Sequence, residues 1–194
     1  MIRVYRLHLL LVTLILFFSG CSFAPKKLPP PFQPPPAAFI PKPAPTPLTE
    51  FEGFLQTHHC HSIVPAQHLW RQGTDWKKVN QPQHAMPPKE MWGNIVPLLH
   101  FINEEIIPLI GEVEVVSGFR TPAFNHLAAG AKRSRHLYFQ AVDIIPKQAY
   151  SREELHSLLL QLWKQKGQKY KLGLGLYKGV RFHIDSFGYR KWGG

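Results

Sequence analysis

The sequence predicts an α+β fold, a small and mainly antiparallel sheet with flanking helices. Three observations carry this. A long stretch of helical periodicity precedes the first strand-like alternation, later strands are interleaved with short helices, and two last strands flank Lys178-Gly179 as a hairpin would.

In chain order, the first predicted element is a helical stretch over about residues 88–107. It carries Met91, Ile95, Leu98, Leu99, Ile102 and Ile106 on one stripe, and Pro97 is expected to kink it. Residues 112–116 alternate charged and apolar side chains, as a half-buried strand does. Thr121-Pro122 has the form of an N-cap with proline at the first helical position, which predicts a short helix over 123–129 ended by Gly130. Residues 139–145 are apolar and β-branched and read as a strand, placing Asp143 within it and His136 in the loop before it. Ser151 and Glu154 form a capping box, and Leu155, Leu158, Leu159 and Leu162 give the following helix its apolar stripe. Strands over 173–177 and 180–185 complete the sheet. In the last one the period of two puts Arg181, His183 and Asp185 on one face and Phe182 with Ile184 on the other.

The 194 residues divide into three parts. Arg3 and Arg6, an apolar run from Leu7 to Phe18, and the small residues Ser19 and Gly20 read as an export signal over 1–20, too short to span a bilayer comfortably. Phe18-Ser19-Gly20-Cys21 resembles a bacterial lipobox, which implies lipidation of Cys21 and a membrane partner reached through that anchor; several acyl chains hold a protein more firmly than one. Residues 22–49 hold 11 of the 19 prolines, so 21–49 is expected to be a semi-rigid polyproline tether. Residues 50–194 form the domain. The whole chain is 44% hydrophobic and 12% aromatic, so the domain has the material for one core, and no internal repeat argues for a solenoid. The only other cysteine is Cys60, so an intramolecular disulfide is excluded if Cys21 carries lipid. A formal charge of +11 would raise nucleic-acid binding in a cytosolic chain. In an exported one it points instead to anionic envelope polymers, and no nucleic-acid partner is expected.

His136, Asp143 and His183 are two imidazoles and one carboxylate, the ligand set of an open zinc site that keeps its fourth corner for water. Taken singly, each is an ordinary surface residue. Their setting is more specific. Ser117-Gly118-Phe119-Arg120-Thr121-Pro122 with Asn125, Ser134-Arg135-His136-Leu137, Ala141-Val142-Asp143, Gly173-Leu174-Gly175-Leu176-Tyr177 and Phe182-His183-Ile184-Asp185 together resemble the M15 family of zinc D,D-peptidases, in its D-Ala-D-Ala carboxypeptidase and murein endopeptidase branch.

The resemblance covers roughly residues 88–192 and implies a Hedgehog/D,D-peptidase type of fold. It makes His136, Asp143 and His183 the ligands of Zn2+, which would acidify its bound water and polarise the scissile carbonyl. It makes Arg120 a substrate-binding residue, suited by its planar fork to a carboxylate or an oxyanion. It also sets Ser134 near the substrate as a hydrogen-bond donor. Peptidoglycan stem peptides are the implied partner, and the bacterial cell envelope the implied location. Ser22 is not the aspartate associated with inner-membrane retention, so in a Gram-negative cell the outer membrane, facing the periplasm, is expected.

One departure stands out: three residues before His183, where many members carry the acid that serves as general base, this chain has Val180. Asp185 is the nearest acidic substitute for that catalytic role, with service as a partner of His183 as its other reading. A noncatalytic peptidoglycan-binding lipoprotein with the same fold is the alternative function. The run His58-His59-Cys60-His61 reads as a loop, Trp163 and Trp192 as core residues, and the basic run 132–135 as a solvated loop beside His136 that would attract an anionic substrate.

Overall fold

The computed structural model describes residues 46–194. The export signal, Cys21 and the prolines up to Pro45 lie outside the described residues. The first helix, α1 (Pro47–Thr57), starts ahead of the boundary expected at residue 50: Thr46 is its N-cap, accepting from the Thr49 amide at 3.2 Å, and Pro47 takes the first helical position. Phe51 and Leu55 anchor it in the core.

The predicted 88–107 helix is a continuous helical run over Lys89–Ile110 that changes pitch at its prolines. A 3-10 turn (Lys89–Ile95) passes into α2 (Val96–Phe101), with Pro97 in the first turn where no amide is needed. A π turn (Ile102–Ile106) then leads into α3 (Ile107–Ile110). Pro108 has no N–H for the Glu104 carbonyl, and the ladder widens just before it, the Ile107 amide reaching back five residues to Ile102.

Among the described residues five strands form one sheet: β1 (Val113–Ser117), β2 (Ala141–Pro146), β3 (Gly173–Leu176), β4 (Phe182–Asp185) and β5 (Arg190–Gly193), in the order β1-β2-β4-β3-β5. All pairs are antiparallel except β3 with β5, and β3–β4 is the expected hairpin. β5 carries no apolar alternation and was not predicted. On the core face Val115, Val142, Ile144, Leu174, Leu176, Phe182 and Ile184 join one buried cluster with Leu99 and Ile102 of the helical run and Leu155 and Leu159 of α5 (Arg152–Lys166). Ser151 caps α5 as expected, its hydroxyl accepting from the Glu154 amide at 3.1 Å.

Three predicted boundaries move for local reasons. The short helix α4 (Pro122–Leu127) stops before a left-handed Ala129 (φ 52°), so alanine rather than Gly130 makes the turn. Phe139 is also left-handed (φ 54°), closing a 3-10 turn (Arg135–Tyr138), and β2 therefore starts at Ala141 instead of 139. β4 begins at Phe182, which leaves Val180 and Arg181 in the hairpin connection. Among the described residues no helix is long and apolar enough to cross a membrane.

Candidate metal centre

The face opposite the core is organised in rows. Ser117, Asp143, His183, Gly175 and Trp192 stand side by side across β1, β2, β4, β3 and β5. Ser117 reaches this row through a bulge: Val115 pairs with Ile144 but Ser117 with Asp143, two steps on β1 for one on β2. Without the extra residue Ser117 would share the core face with Val113 and Val115.

His136 enters from the 3-10 turn above the row. Its Nδ1–H donates to the Gly118 carbonyl at 2.7 Å, an atom that can only accept, so Nε2 keeps its lone pair. That Nε2 lies 3.2 Å from Asp143 Oδ1 and 3.1 Å from His183 Nδ1, and His183 Nδ1 lies 2.9 Å from the same Oδ1. His183 commits its other nitrogen outward, Nε2–H donating to Asp185 Oδ2 at 3.1 Å. Asp143 turns Oδ2 to Arg120 Nη2 at 2.7 Å. Each ligand thus has an outer partner fixing its orientation, and the three inner atoms converge within 4.8 Å. Three buried acceptors facing one another need a cation or a shared proton between them, so the donor set fits a metal ion bound by His136 Nε2, Asp143 Oδ1 and His183 Nδ1.

The electrostatics agree. Burial, with the nearby Arg120, lowers His136 to about 4, so this imidazole is neutral at working pH. Burial pushes Asp143 up, but His136 and His183 outweigh it and hold the carboxyl well below its ordinary value. Burial lowers His183, yet the bonds to Asp143 and Asp185 more than compensate, so this imidazole holds a proton more firmly than an ordinary histidine, and a metal bound at Nδ1 would take that proton's place.

Behind the ligands lies a second row, Ala141, Asp185, Gly173 and Arg190. Asp185, expected as a catalytic base, is fully buried and is not among the residues that line the cleft. It accepts from Arg190 Nη2 at 2.7 Å and Nη1 at 3.0 Å, from the Phe187 amide at 3.0 Å, and from His183. Its geometry is that of a partner to His183. Arg120 is similarly committed: Nε donates at 2.9 Å to both the Gln72 carbonyl and Ser117 Oγ. Gln72 also binds Thr121 through Oε1, at 2.9 Å to the amide and 2.8 Å to the hydroxyl. Gly118 must be glycine, because a Cβ would stand 2.1 Å from the Leu69 carbonyl against which this turn is hydrogen-bonded.

The centre opens into a cleft of about 530 Å³. Arg120, Arg133, Arg135, Arg181 and Arg190 line it against two carboxylates, Asp75 and Asp143. Ser134 lines it as well, its hydroxyl bonded to none of the described residues. Tyr177 faces the same space, its phenol pushed up to about 12, first by burial and then by Asp143. Trp192 corrects its core assignment: it lies on the cleft, 38% exposed, its ring over Gly175 and 5.1 Å from that of His183. Trp163 is half-buried, stacked on Tyr189 at 4.3 Å. His58, His59 and His61 are exposed and only Cys60 is buried, so that loop gathers no ligand set.

Gln72, Tyr177, Arg190 and Trp192 were missed by the sequence reading. The one signal for them was Gly173-Leu174-Gly175-Leu176, whose bare face implies that something crosses it.

Such a constellation is a candidate metal centre, open to a cationic cleft. Residues 109–185 match the family model described as Peptidase M15, a span that runs from α3 to the end of β4 and contains all three converging ligands. The match supports a peptidase of that family, whose members are generally metallopeptidases. Comparison with curated proteins and with solved structures gives no significant match.

Proposed function

We propose that this chain is a zinc peptidase of the Hedgehog/D,D-peptidase type that hydrolyses D-amino-acid peptide bonds of peptidoglycan, an endopeptidase or a carboxypeptidase held in the cell envelope by lipid on Cys21. In a Gram-negative cell it would face the periplasm from the outer membrane. One observation carries the reading: two imidazole lone pairs and a carboxylate oxygen converge, each fixed from behind, at the floor of a cleft lined by arginines.

Zinc there would supply a Lewis acid for the carbonyl and a water acidified toward neutrality. The chain's own residues do the rest. Arg133 and Arg181 offer cations to stem-peptide carboxylates, and Ser134 offers a hydroxyl to the peptide backbone. Asp185 and Arg120 keep His183 and Asp143 aimed at the centre. For the proton that leaves the attacking water, Asp75 is the carboxylate lining the cleft besides Asp143.

A second reading, a noncatalytic peptidoglycan-binding lipoprotein, is favoured by Val180 and by the burial of Asp185 between His183 and Arg190. Full-length protein in detergent, loaded with zinc and incubated with purified sacculi, separates the two. New muropeptides that vanish on His183→Ala support hydrolysis; retention on sacculi with an unchanged profile supports binding alone. No stoichiometric zinc and no retention would sink both.

A further inference from the structure

Peptide hydrolysis moves the carbonyl π pair onto oxygen, and fixed donors aimed at that developing charge supply much of the rate. Among the described residues that line the cleft, Ser134, Arg133 and Arg181 are offered to the peptide backbone and its carboxylates, which leaves the donors nearest the centre to consider. Arg120 spends Nε on Gln72 and Ser117 and one terminal nitrogen on Asp143. Tyr177 is uncommitted: its hydroxyl bonds to none of the described residues, although it lines the cleft with the three ligands.

Register places it well. Gly175 pairs with His183 and Leu176 with Phe182, so Tyr177 is the first residue past the paired end of β3, two positions on from Gly175. It lines the same cleft as His183, Asp143 and His136. The Arg181 guanidinium sits 4.7 Å from the ring centroid and steadies it. With its acidity so weakened the phenol keeps its proton and serves as a donor, not a base.

We propose that Tyr177 is a catalytic residue whose hydroxyl donates a hydrogen bond to the oxyanion formed at the scissile carbonyl. This rests on the peptidase reading above. No covalent bond to Tyr177 forms or breaks. The pair that moves onto the carbonyl oxygen when water attacks returns as the C–N bond breaks, and the amine departs with a proton that came from that water.

Tyr177→Phe in the full-length, zinc-loaded protein keeps the ring and its contact with Arg181. We expect kcat on a D-Ala-D-Ala peptide to fall about 100-fold with KM little changed, as for loss of an oxyanion donor. Affinity for a phosphinate analogue of the tetrahedral state should fall in parallel, while affinity for the product peptide, metal content and melting temperature hold. An unchanged kcat and phosphinate affinity overturns the assignment, and so does a loss explained by lost metal or lost fold. A wild type that cleaves no peptide refutes the peptidase reading separately; equal phosphinate affinities in the two proteins would then dispose of Tyr177 as well.

Discussion

Replacing Gly173 by alanine should weaken metal binding although residue 173 touches no metal. β3 separates β4 from β5, yet Arg190 of β5 reaches Asp185 of β4 across it, because the strand bears leucines toward the core and no side chain on the other face. A Cβ on Gly173 would lie 2.4 Å from Asp185 Oδ2 and 2.7 Å from its Cγ, where ordinary contact begins near 3.4 Å. The carboxylate must retreat by about 1 Å. That stretches its 3.1 Å bond from His183 Nε2 to about 4 Å, beyond hydrogen-bonding range. A charge-assisted bond is worth about 1.5–3 kcal/mol, and losing the outer partner of a ligating histidine costs about 10–100-fold in metal affinity, the same free energy expressed as binding. The close contact also costs about 1–3 kcal/mol of stability. Zinc affinity is read by competition with a chromophoric chelator, and folding by thermal melts of the metal-free protein. Gly179→Ala is the control, since a Cβ there meets nothing within 4 Å. If Gly173→Ala is folded and binds zinc as tightly as the control, the outer bond to His183 does not govern the centre.

Other outcomes follow from the same geometry. Ser151→Ala removes the cap of α5 and should cost about 1 kcal/mol in urea unfolding with no change in metal affinity; a neutral result would mean that Glu154 or water replaces the cap. In metal-free protein Asp143 and Asp185 sit below the 3.8 of an ordinary aspartate, burial being outweighed at one by the two histidines and at the other by His183 and Arg190. Their contribution is therefore complete above about pH 4–5 and lost as pH falls through their folded values. His183 sits above 6.5, so its contribution has the opposite sign, complete below that value and lost as pH rises through the folded one. Urea unfolding of the metal-free protein should show both declines, and zinc should remove the alkaline one by taking the proton's place; a metal-free profile level from pH 3 to 5 contradicts this.

What the sequence revealed and what it hid have physical reasons. Periodicity exposed the core-facing residues, because Phe182 with Ile184, Val142 with Ile144 and the α5 leucines are sorted by burial alone. The three candidate ligands were picked out through family resemblance, and the structure brings their atoms within 4.8 Å of one another. The face of Ser117 was not legible, since the bulge that turns it follows from pairing with β2. β5 was hidden because its pattern, half-buried then exposed, follows the site and not the core. Asp185 could be read two ways in sequence, and only the approach of Arg190 across Gly173 separates a buried anchor from a base.

The cleft's charge bears on how the two functional readings can be told apart. Of its five arginines, Arg120 and Arg190 are neutralised by Asp143 and Asp185 and belong to the framework of the centre. Arg135 and Arg181 lie against the rings of Phe187 and Tyr177, and Arg133 is exposed. These three remain as cations for a ligand. At physiological salt, fields fade over about 8 Å, so cations in the cleft outweigh the basic residues elsewhere on the chain in drawing in an anionic peptide. Such attraction needs neither metal nor base. Retention on peptidoglycan therefore measures Arg133, Arg135 and Arg181, whereas release of product measures His136, Asp143 and His183. His183→Ala should leave the first nearly intact and abolish the second, and it is this separation, not affinity, that distinguishes a peptidase from a binding protein built on the same fold.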